Sequence, residues 1–373
     1  MFQRKFLTLA VATAVSTIPA VVSAASLTTN SDMEIFGRAH LSVDSLDDGK
    51  NYNELNMSSN SSRLGFKGST DFGAVTGIYN VEQEILFDQG KGKDWASRDT
   101  YAGVTGDFGM LRLGRFDTPF KKARGPANFF GDQVGDLRNL TRPDLNFDDR
   151  ATNAVHFQTP DMGGLQFNVA YQLNTGDNAE LVGAEEDESP DETVTSLSAT
   201  YSSGPLSVAF ANETWGEDTA EYDPEDDDSD KYDGNGNSTG NRLAVSYDLM
   251  PGLTLAGFYQ SLTDNNDYDN DDNRRDNTVT GFGGQFKLDP QTYLRGHYFT
   301  RAMGEQDDAD SSMMAVGVEH RLDSALRVYA NYATVDNDDN ASLTPWKQAR
   351  TASPSGADGE TATGISLGMR YDF

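Results

Sequence analysis

The feature that most constrains this 373-residue sequence is an alternation of apolar and polar residues that recurs from one end to the other. In the last segment the apolar residues fall at every second position, at Ile365, Leu367, Met369, Tyr371 and Phe373. A period of two places these side chains on one face of a β-strand and the intervening polar residues on the other. No segment shows the period of a long helix, so the sequence predicts an all-β fold.

Sixteen alternating segments can be counted, and their connections alternate between tight turns and long acidic loops. The segments lie near 33–45, 59–70, 77–88, 97–106, 109–118, 150–159, 165–175, 193–203, 206–215, 240–250, 253–263, 276–288, 292–303, 312–322, 325–336 and 361–373. The long loops cover 44–58, 89–96, 119–149, 176–192, 216–239, 264–275, 304–311 and 337–360. The tight turns, such as TDFG, SSGP and MPG, contain the Gly, Pro and Asp residues that short hairpins use. This pattern predicts a 16-stranded antiparallel transmembrane β-barrel.

A soluble β-sandwich is the alternative fold, because it also alternates apolar and polar residues. Aromatic residues near the ends of the segments favour the barrel; they include Tyr79, Phe87, Tyr171, Phe210 and Tyr259. In a transmembrane barrel such residues form girdles at the two membrane interfaces, whereas a sandwich has no reason to place them there.

The first 24 residues have the pattern of a secretory signal peptide. Arg4 and Lys5 precede an apolar stretch from Phe6 to Val22, and a small-x-small cleavage site ends at Ala24. We therefore expect residues 1–24 to be removed and residues 25–373 to form the barrel. A single membrane anchor is the alternative for this segment. The remainder contains no uninterrupted apolar run of about 18 residues, which argues against a helical membrane protein.

The composition disfavours several classes of function. The formal net charge of −30 argues against nucleic acid as a partner, because phosphate binding needs a basic face. Cysteine is absent, the four histidines show no two-His metal spacing, and the acidic runs at 223–238 and 264–273 do not match a calcium loop. The GISLG motif around Ser366 lies in mid-strand, whereas a nucleophile elbow requires a strand-to-helix turn. We therefore expect no catalytic residue, metal or cofactor, and we expect that the protein is not an enzyme.

Several motifs together resemble a known family. MEIFGRAHLSV, SSRLGFKGSTDFG, LRLGRFDTPF followed by a long third loop, and a last strand that ends in Phe373 are similar to the trimeric general diffusion porins of Gram-negative outer membranes. The resemblance covers residues 25–373. It implies an outer-membrane homotrimer in contact with lipid and lipopolysaccharide, with a water-filled channel for passive diffusion of small hydrophilic solutes and ions. It also implies that Tyr371 and Phe373 belong to the signal read by the outer-membrane assembly machinery.

The same resemblance implies that the third loop, about residues 119–149, folds into the barrel and sets its carboxylates against arginines of the wall. Alternation by itself places four arginines on the inner face: Arg38, Arg63, Arg98 and Arg150. It places Arg115 on the outer face with Leu111 and Leu113, which favours a subunit interface for Arg115. A lipid-facing arginine at mid-depth would cost about 2–4 kcal/mol.

Four carboxylates are candidates for the acidic side of this pore constriction. Asp132 and Asp136 are four apart and would share a face on one helical turn, and Glu82 and Glu84 point inward from the third strand. The acidic tripeptide-plus-Gly pattern that is usual for this loop in the family is not reproduced clearly. Which loop carboxylates reach the constriction therefore stays open.

The balance of charge predicts a preference for small cations. The four arginines and four carboxylates cancel at the predicted constriction, so the acidic loops at the mouth, above all 216–239 and 264–275, decide the sign. A negative mouth raises the local concentration of cations.

A solute-specific channel on the same barrel is the alternative, although the inward positions are mostly Ser, Thr, Asn, Gln and charged residues, without the aromatic track of a sugar channel. An adhesin that uses the loops is a further alternative.

Overall fold

The segments with a period of two form β-strands in the computed structural model, which describes residues 31–173, 193–216, 236–266 and 274–373 and the backbone of 220–222 and 232–234. The predicted signal peptide, residues 1–24, lies outside the described residues. The strands are β1 (Ser31–Asp47), β2 (Asn53–Ser59), β3 (Arg63–Asp71), β4 (Thr76–Leu86), β5 (Lys91–Gly92), β6 (Thr100–Gly106), β7 (Gly109–Asp117), β8 (Arg150–Gln158), β9 (Leu165–Gln172), β10 (Val194–Ser203), β11 (Leu206–Trp215), β12 (Ala220–Tyr222), β13 (Tyr232–Gly234), β14 (Ser238–Met250), β15 (Leu253–Asp264), β16 (Asn277–Lys287), β17 (Thr292–Met303), β18 (Ser311–Arg321), β19 (Leu326–Asn337) and β20 (Ala362–Asp372).

Helix is confined to short pieces of the third loop. Four-residue helices cover Pro119–Lys122 and Arg138–Thr141, and a 3-10 turn covers Gly125–Ala127. Among the described residues, no helix has the length and apolar character needed to cross a membrane.

Antiparallel pairing joins the strands into a closed barrel. β1 pairs with β20 along most of its length, from Arg38 opposite Asp372 to Asp47 opposite Thr363. On its other side β1 pairs with β3 and then with β2, which follow one another along one position of the wall. β5 and β6 share a position beside β4 in the same way, so the 18 strands of the large sheet fill sixteen positions. The predicted 16-stranded barrel is confirmed.

The apolar side of the strands faces outward. In β20 the side chains of Ile365, Leu367 and Met369 are 51%, 62% and 42% exposed, whereas Ser366 between them is fully buried. The aromatic residues Tyr79 and Phe210 are also on the exposed face. An apolar band on the outside of a closed barrel is the arrangement that a lipid bilayer covers.

The first long loop is shorter than predicted. We expected a loop over 44–58, but β1 continues to Asp47 and β2 begins at Asn53. The turn between them is held by one carboxylate oxygen of Asp48, which accepts N–H groups from Lys50, Asn51 and Tyr52 at 2.8, 2.8 and 2.9 Å. This tight turn lets the hairpin extend in strand conformation.

Alternation in the fourth segment predicts that Tyr101 faces outward and Arg98 inward, and the prediction for Tyr101 was wrong. The strand begins at Thr100 and not at residue 97, and Tyr101 stands opposite Asn80 on the inner face, where its ring contacts Arg112. Ala96 has a positive φ of 62°, which turns the chain just before this strand. Arg98 therefore enters the lumen from the turn, where its N–H donates to the Glu82 carbonyl at 3.0 Å, and not through alternation.

The third loop folds into the barrel, as predicted. Its apolar side chains pack on the inner faces of β11 and β14–β20 in three clusters. One cluster joins Phe120 and Phe147 to the wall, and another joins Phe130 and Val134. These contacts bury the loop against one side of the lumen and leave the opposite side open.

The last long loop also folds inward, although the alternation of short turns with long loops predicts that 337–360 lies on the exterior like the other long loops. Its Trp346 is fully buried among Leu46, Phe130 and Val134. The carbonyl of Pro345 accepts the N–H of Gly135 in the third loop at 2.7 Å. An apolar side chain in a mostly polar loop drives this inward packing, because burial removes its surface from water.

Candidate functional site

A polar cavity of about 300 Å³ occupies the side of the lumen that the third loop leaves open. It lies between that loop and the wall formed by β3–β8. Its nine basic lining residues are Arg63, Lys93, Arg98, Lys121, Arg124, Arg138, Arg142, Arg150 and Arg350. Its five acidic lining residues are Glu84, Asp117, Asp132, Asp148 and Asp149.

The wall of the cavity beside β3 and β4 carries a chain of ion pairs centred on Glu82. Arg98 donates its Nε–H to Glu82, and the Nη1 of Arg63 lies 3.4 Å from the same carboxylate. Arg98 also reaches Glu84 at 3.5 Å, and Glu84 lies 3.1 Å from the Nζ of Lys93. The structure thus brings together four of the predicted constriction residues, three of which line the cavity itself.

Arg150 forms the second basic position of the wall. Its Nε donates to Asp99 at 2.7 Å and its Nη2 lies 3.2 Å from Asp117. Lys121 at the start of the third loop shares Asp117, at 2.7 Å. Burial, and then the positive charges of Arg150 and Arg124, lower the pKa of Lys121 to about 8 against the opposing effect of Asp117.

Asp132 joins the third loop to the opposite wall. Its carboxylate accepts a hydrogen bond from Arg138 at 2.6 Å and lies 3.4 Å from Arg38 and 3.8 Å from Arg63. Burial alone would raise the pKa of Asp132, but the positive charges of Arg138 and Arg63 hold it well below its ordinary value. Arg38 lies behind this carboxylate, outside the cavity lining, and donates its Nε–H to Asp372 at 2.8 Å.

Asp136 does not share a helical face with Asp132 as predicted. Asp132 has a positive φ of 62°, and the helix begins only at Arg138. The fully buried Asp136 carboxylate accepts the N–H of Asp132 at 2.6 Å, and the N–H and Nε–H of Arg138 at 2.9 and 3.0 Å. It supports the turn that carries Asp132. The assignment of all eight side chains to the pore constriction stays a prediction.

Asp148 anchors the other end of the third loop. It accepts hydrogen bonds from Arg242 at 2.8 Å, Arg124 at 2.7 Å and Thr141 at 2.8 Å, and is fully buried. The Arg242 guanidinium also stacks on the Phe120 ring, at 4.1 Å. Burial would raise the pKa of Asp148, but Arg242 and Arg124 hold it well below its ordinary value.

The basic residues of the third loop are the largest part of the site that the sequence prediction missed, beside Lys93, Asp117 and Arg350. Four of them line the cavity: Lys121, Arg124, Arg138 and Arg142. The signal was present, because the loop sequence KKARGPANFFGDQVGDLRNLTRPDLNFDD carries as many basic as acidic residues. The predicted constriction includes only carboxylates from this loop. The loop consequently presents both signs of charge to the passage.

Three remaining predictions concern the outside of the barrel. Arg115 keeps the outward parity predicted for it, because Arg112 and Phe116 stack on each other on the inner face, and the register shift between Gly114 and Phe116 lies in the pairing with β8. Tyr371 and Phe373 stack with their ring centroids 5.7 Å apart, and the Phe373 N–H donates to the Gly37 carbonyl at 3.0 Å. Neither observation tests a subunit interface or an assembly signal.

Among the described residues, no group of three or more His, Asp and Glu side chains is placed to hold a metal ion.

Comparisons with known proteins agree on one fold. A family model described as Gram-negative porin matches residues 8–340. The major outer membrane protein P.IB of Neisseria meningitidis serogroup B is 31% identical over 121 residues, which cover 32% of this chain and 34% of that protein. The major outer membrane protein P.IA of Neisseria meningitidis serogroup C is 28% identical over 109 residues, which cover 29% of this chain and 27% of that protein. The aligned part thus spans about a third of the length of these curated relatives or less.

Solved structures extend the likeness to the whole barrel. The anion-selective porin from Comamonas acidovorans has a TM-score of 0.75 and 21% identity, covering 92% of this chain and 100% of that chain. The in-vitro folded, trimer form of OmpT, an outer membrane protein of Vibrio cholerae, has a TM-score of 0.66 and 18% identity with the same coverages. At these identities the two structures establish the fold.

Proposed function

This chain belongs to the Gram-negative porin family, and from that premise we propose that it forms a channel in the outer membrane through which small hydrophilic solutes and ions diffuse passively. The observation that carries the proposal is the polar cavity between the inward third loop and β3–β8. It is bordered by fourteen charged side chains inside a closed barrel with an apolar exterior. Charges of both signs around a narrow water-filled passage order water and disfavour apolar solutes.

A general channel fits the lining better than a solute-specific one. The cavity is lined by charged residues with only Ser61 and Ala349 between them, and no aromatic side chain is among these described lining residues. A channel for sugars would be expected to offer aromatic surfaces on which the rings slide. The mixture of charge on both sides favours weak contacts with many polar solutes.

The ion preference has two opposing sources. The lining carries nine basic and five acidic residues, and further carboxylates such as Glu82 and Asp99 lie behind the arginines, so passing ions meet a basic surface first. The acidic loops at the mouth favour cations; most of residues 217–235 and 267–273 lie outside the described residues. We propose a cation preference at low salt, as expected from the sequence, which weakens and turns towards anions at high salt.

The experiment is a zero-current potential across a tenfold KCl gradient in a planar bilayer, measured at low and at high mean salt. The Debye length falls from about 10 Å at 0.1 M to about 3 Å at 1 M, so salt screens the distant mouth more than the narrow passage. Arg142→Gln should move the high-salt potential towards potassium, while Lys347→Gln, on an exposed loop position, should not. A potential that favours chloride at low salt, or potassium equally at both salts, contradicts the proposal. A protein that forms no channel contradicts the function itself.

The assembly state and the partners are part of the same proposal. We propose a homotrimer in contact with outer-membrane lipid and lipopolysaccharide, inserted by the outer-membrane assembly machinery through a signal that includes Tyr371 and Phe373. The trimeric form of the Vibrio cholerae OmpT structure supports the homotrimer. The rings of both residues of the proposed signal, Tyr371 and Phe373, lie on the exposed outer face of the last strand.

A further inference from the structure

We propose that the last loop, residues 338–361, is a second constriction element of the passage, with Ala349 at the rim and the ion pair between Arg350 and Asp44 as its anchor. This inference rests on the proposed channel function. Ala349 and Arg350 line the same cavity as Arg63 and Asp132. The cavity is therefore bounded by three parts of the chain: the wall, the third loop and this last loop.

The anchor on the wall is a buried ion pair. Arg350 donates its Nη2–H to Asp44 of β1, and both side chains are fully buried. Ser42 Oγ donates to the same carboxylate at 3.0 Å. Removing one partner of a buried pair leaves an uncompensated charge, so this contact strongly favours the inward position of the loop.

A second set of contacts ties the loop to β2 and to the turn after β4. The Ser59 N–H donates to Thr351 Oγ1 at 2.8 Å, and the Thr351 N–H donates to the Ser59 carbonyl at 3.2 Å. Thr351 Oγ1 also donates to Asp88 at 2.5 Å. Arg350 and Thr351, which follow Ala349, are thus fixed to β1, to the end of β2 and to the turn after β4.

On its other side the loop is fixed to the third loop. Trp346 packs on Phe130 and Val134, and the Gln348 N–H donates to Asn139 Oδ1 at 2.9 Å. Ala349 lies between these contacts and the Arg350 anchor, and has a positive φ of 63°. The chain turns at this residue while it spans the space between the third loop and the wall, which is why its position limits the width of the passage.

A cysteine at position 349 tests the placement directly. The protein contains no cysteine, so a methanethiosulfonate reagent would modify only the introduced thiol. We expect Ala349→Cys to lose about half of its single-channel conductance or more once a bulky reagent is attached, measured against the same variant before labelling. Lys347→Cys is the matched control, because it lies on the same loop, is exposed and is not part of the lining. Its conductance should not change on labelling.

The anchor is tested by Asp44→Asn, Arg350→Gln and the double variant. We expect each single variant to raise conductance by about twofold or less and to admit larger uncharged solutes, and the double variant to show no further increase, because both changes break one contact. Exchange of the two residues, Asp44→Arg with Arg350→Asp, should return conductance towards wild type. Lys347→Gln, which removes a positive charge from the same loop, should leave the solute size limit unchanged.

The outcomes separate this inference from the channel function. If wild type conducts but labelling of Ala349→Cys has no effect, the last loop does not border the passage and the inference fails alone. Additive effects of the two anchor variants would contradict the Arg350–Asp44 anchor. If the anchor variants do not fold, the cysteine measurement still decides, because Ala349 makes none of the anchoring contacts. A wild-type protein without conductance would overturn the proposed function itself.

Discussion

At the scale of single residues, the cavity is built in layers, with arginines towards the passage and carboxylates behind several of them. Glu82 holds Arg63 and Arg98, and Asp99 holds Arg150. A carboxylate behind a guanidinium fixes its plane while leaving other N–H donors free to face a solute. The lining can therefore stay ordered while solutes exchange rapidly.

Asp148 should contribute more to stability than Asp149, the half-buried acid beside it. Asp148→Asn leaves the buried Arg242 without its charge partner, and we expect the free energy of unfolding to fall by about 3–5 kcal/mol. Asp149→Asn is the control; Asp149 is half-buried, and the loss should be about 1 kcal/mol or less. Unfolding by denaturant in detergent measures both. Equal losses would contradict the anchoring role of Asp148.

The same pair gives a pH dependence with a defined sign. The pKa of Asp148 is lowered in the folded protein, so its stabilising contribution is complete above the unfolded value of about 4 and is lost as pH falls through the folded pKa. Wild type should therefore lose stability below about pH 4 more steeply than Asp148→Asn does. Parallel pH curves for the two proteins would contradict this assignment.

Lys121 should give the passage a pH-dependent ion preference near neutrality. Burial lowers its pKa to about 8, so raising the pH from about 7 to about 9 removes most of one positive charge from the lining. We expect the zero-current potential in KCl to move towards potassium over this range, and Lys121→Gln to abolish most of the step. Lys93→Gln removes a charge from the same cavity and should keep the step. A step that persists in Lys121→Gln would assign it to another group.

At the scale of elements, the third loop depends on one close approach to the wall. Gly135 has a positive φ of 89°, and a Cβ there would lie 2.7 Å from the Cβ of Ala315 and 3.2 Å from that of Ala333. A side chain at this position is disfavoured by both backbone conformation and space. Small residues on β18 and β19 thus let the loop tip lie flat on the wall.

Gly135→Ala should push the tip of the loop away from the wall and into the passage. We expect a loss of about 1–3 kcal/mol in the free energy of unfolding and a lower single-channel conductance. Gly131→Ala in the same loop is the control, since its nearest neighbour at 3.2 Å is the terminal Nδ2 of Asn128, which can move. If both variants conduct like wild type, the loop tip does not set the width of the passage.

At the scale of the whole molecule, the barrel leaves a continuous apolar exterior that must be covered. Outward side chains on several strands are exposed, among them Val43, Met57 and Leu113 at 46%, 55% and 55%. Lipid covers such a surface in a monomer, and subunit contacts replace part of the lipid in an oligomer.

The protein in mild detergent should have the mass of three chains. Light scattering with correction for bound detergent measures the protein mass, and a heat-denatured sample of the same preparation supplies the one-chain reference. Each subunit is a closed barrel, and identical barrels that associate through their outer walls favour closed cyclic symmetry. A one-chain mass before heating would contradict the homotrimer.

Alternation along the sequence was enough to place the sixteen strand positions and the outward face, because each strand residue points to lipid or to lumen according to its nearest neighbours alone. It also placed Arg63 and Glu82 on the inner face correctly. Where the turn at Ala96 interrupts the period before Thr100, local reasoning assigned Tyr101 to the wrong face.

The two inward loops were decided by the tertiary structure. The family resemblance predicted that the third loop enters the barrel, but neither its basic lining nor the inward course of the last loop followed from local pattern. The contacts that hold them join residues far apart in sequence, such as Asp148 with Arg242 and Asp44 with Arg350. Such partners meet only when the sheet closes on itself, and the sequence between them carries no periodic signal of the pairing.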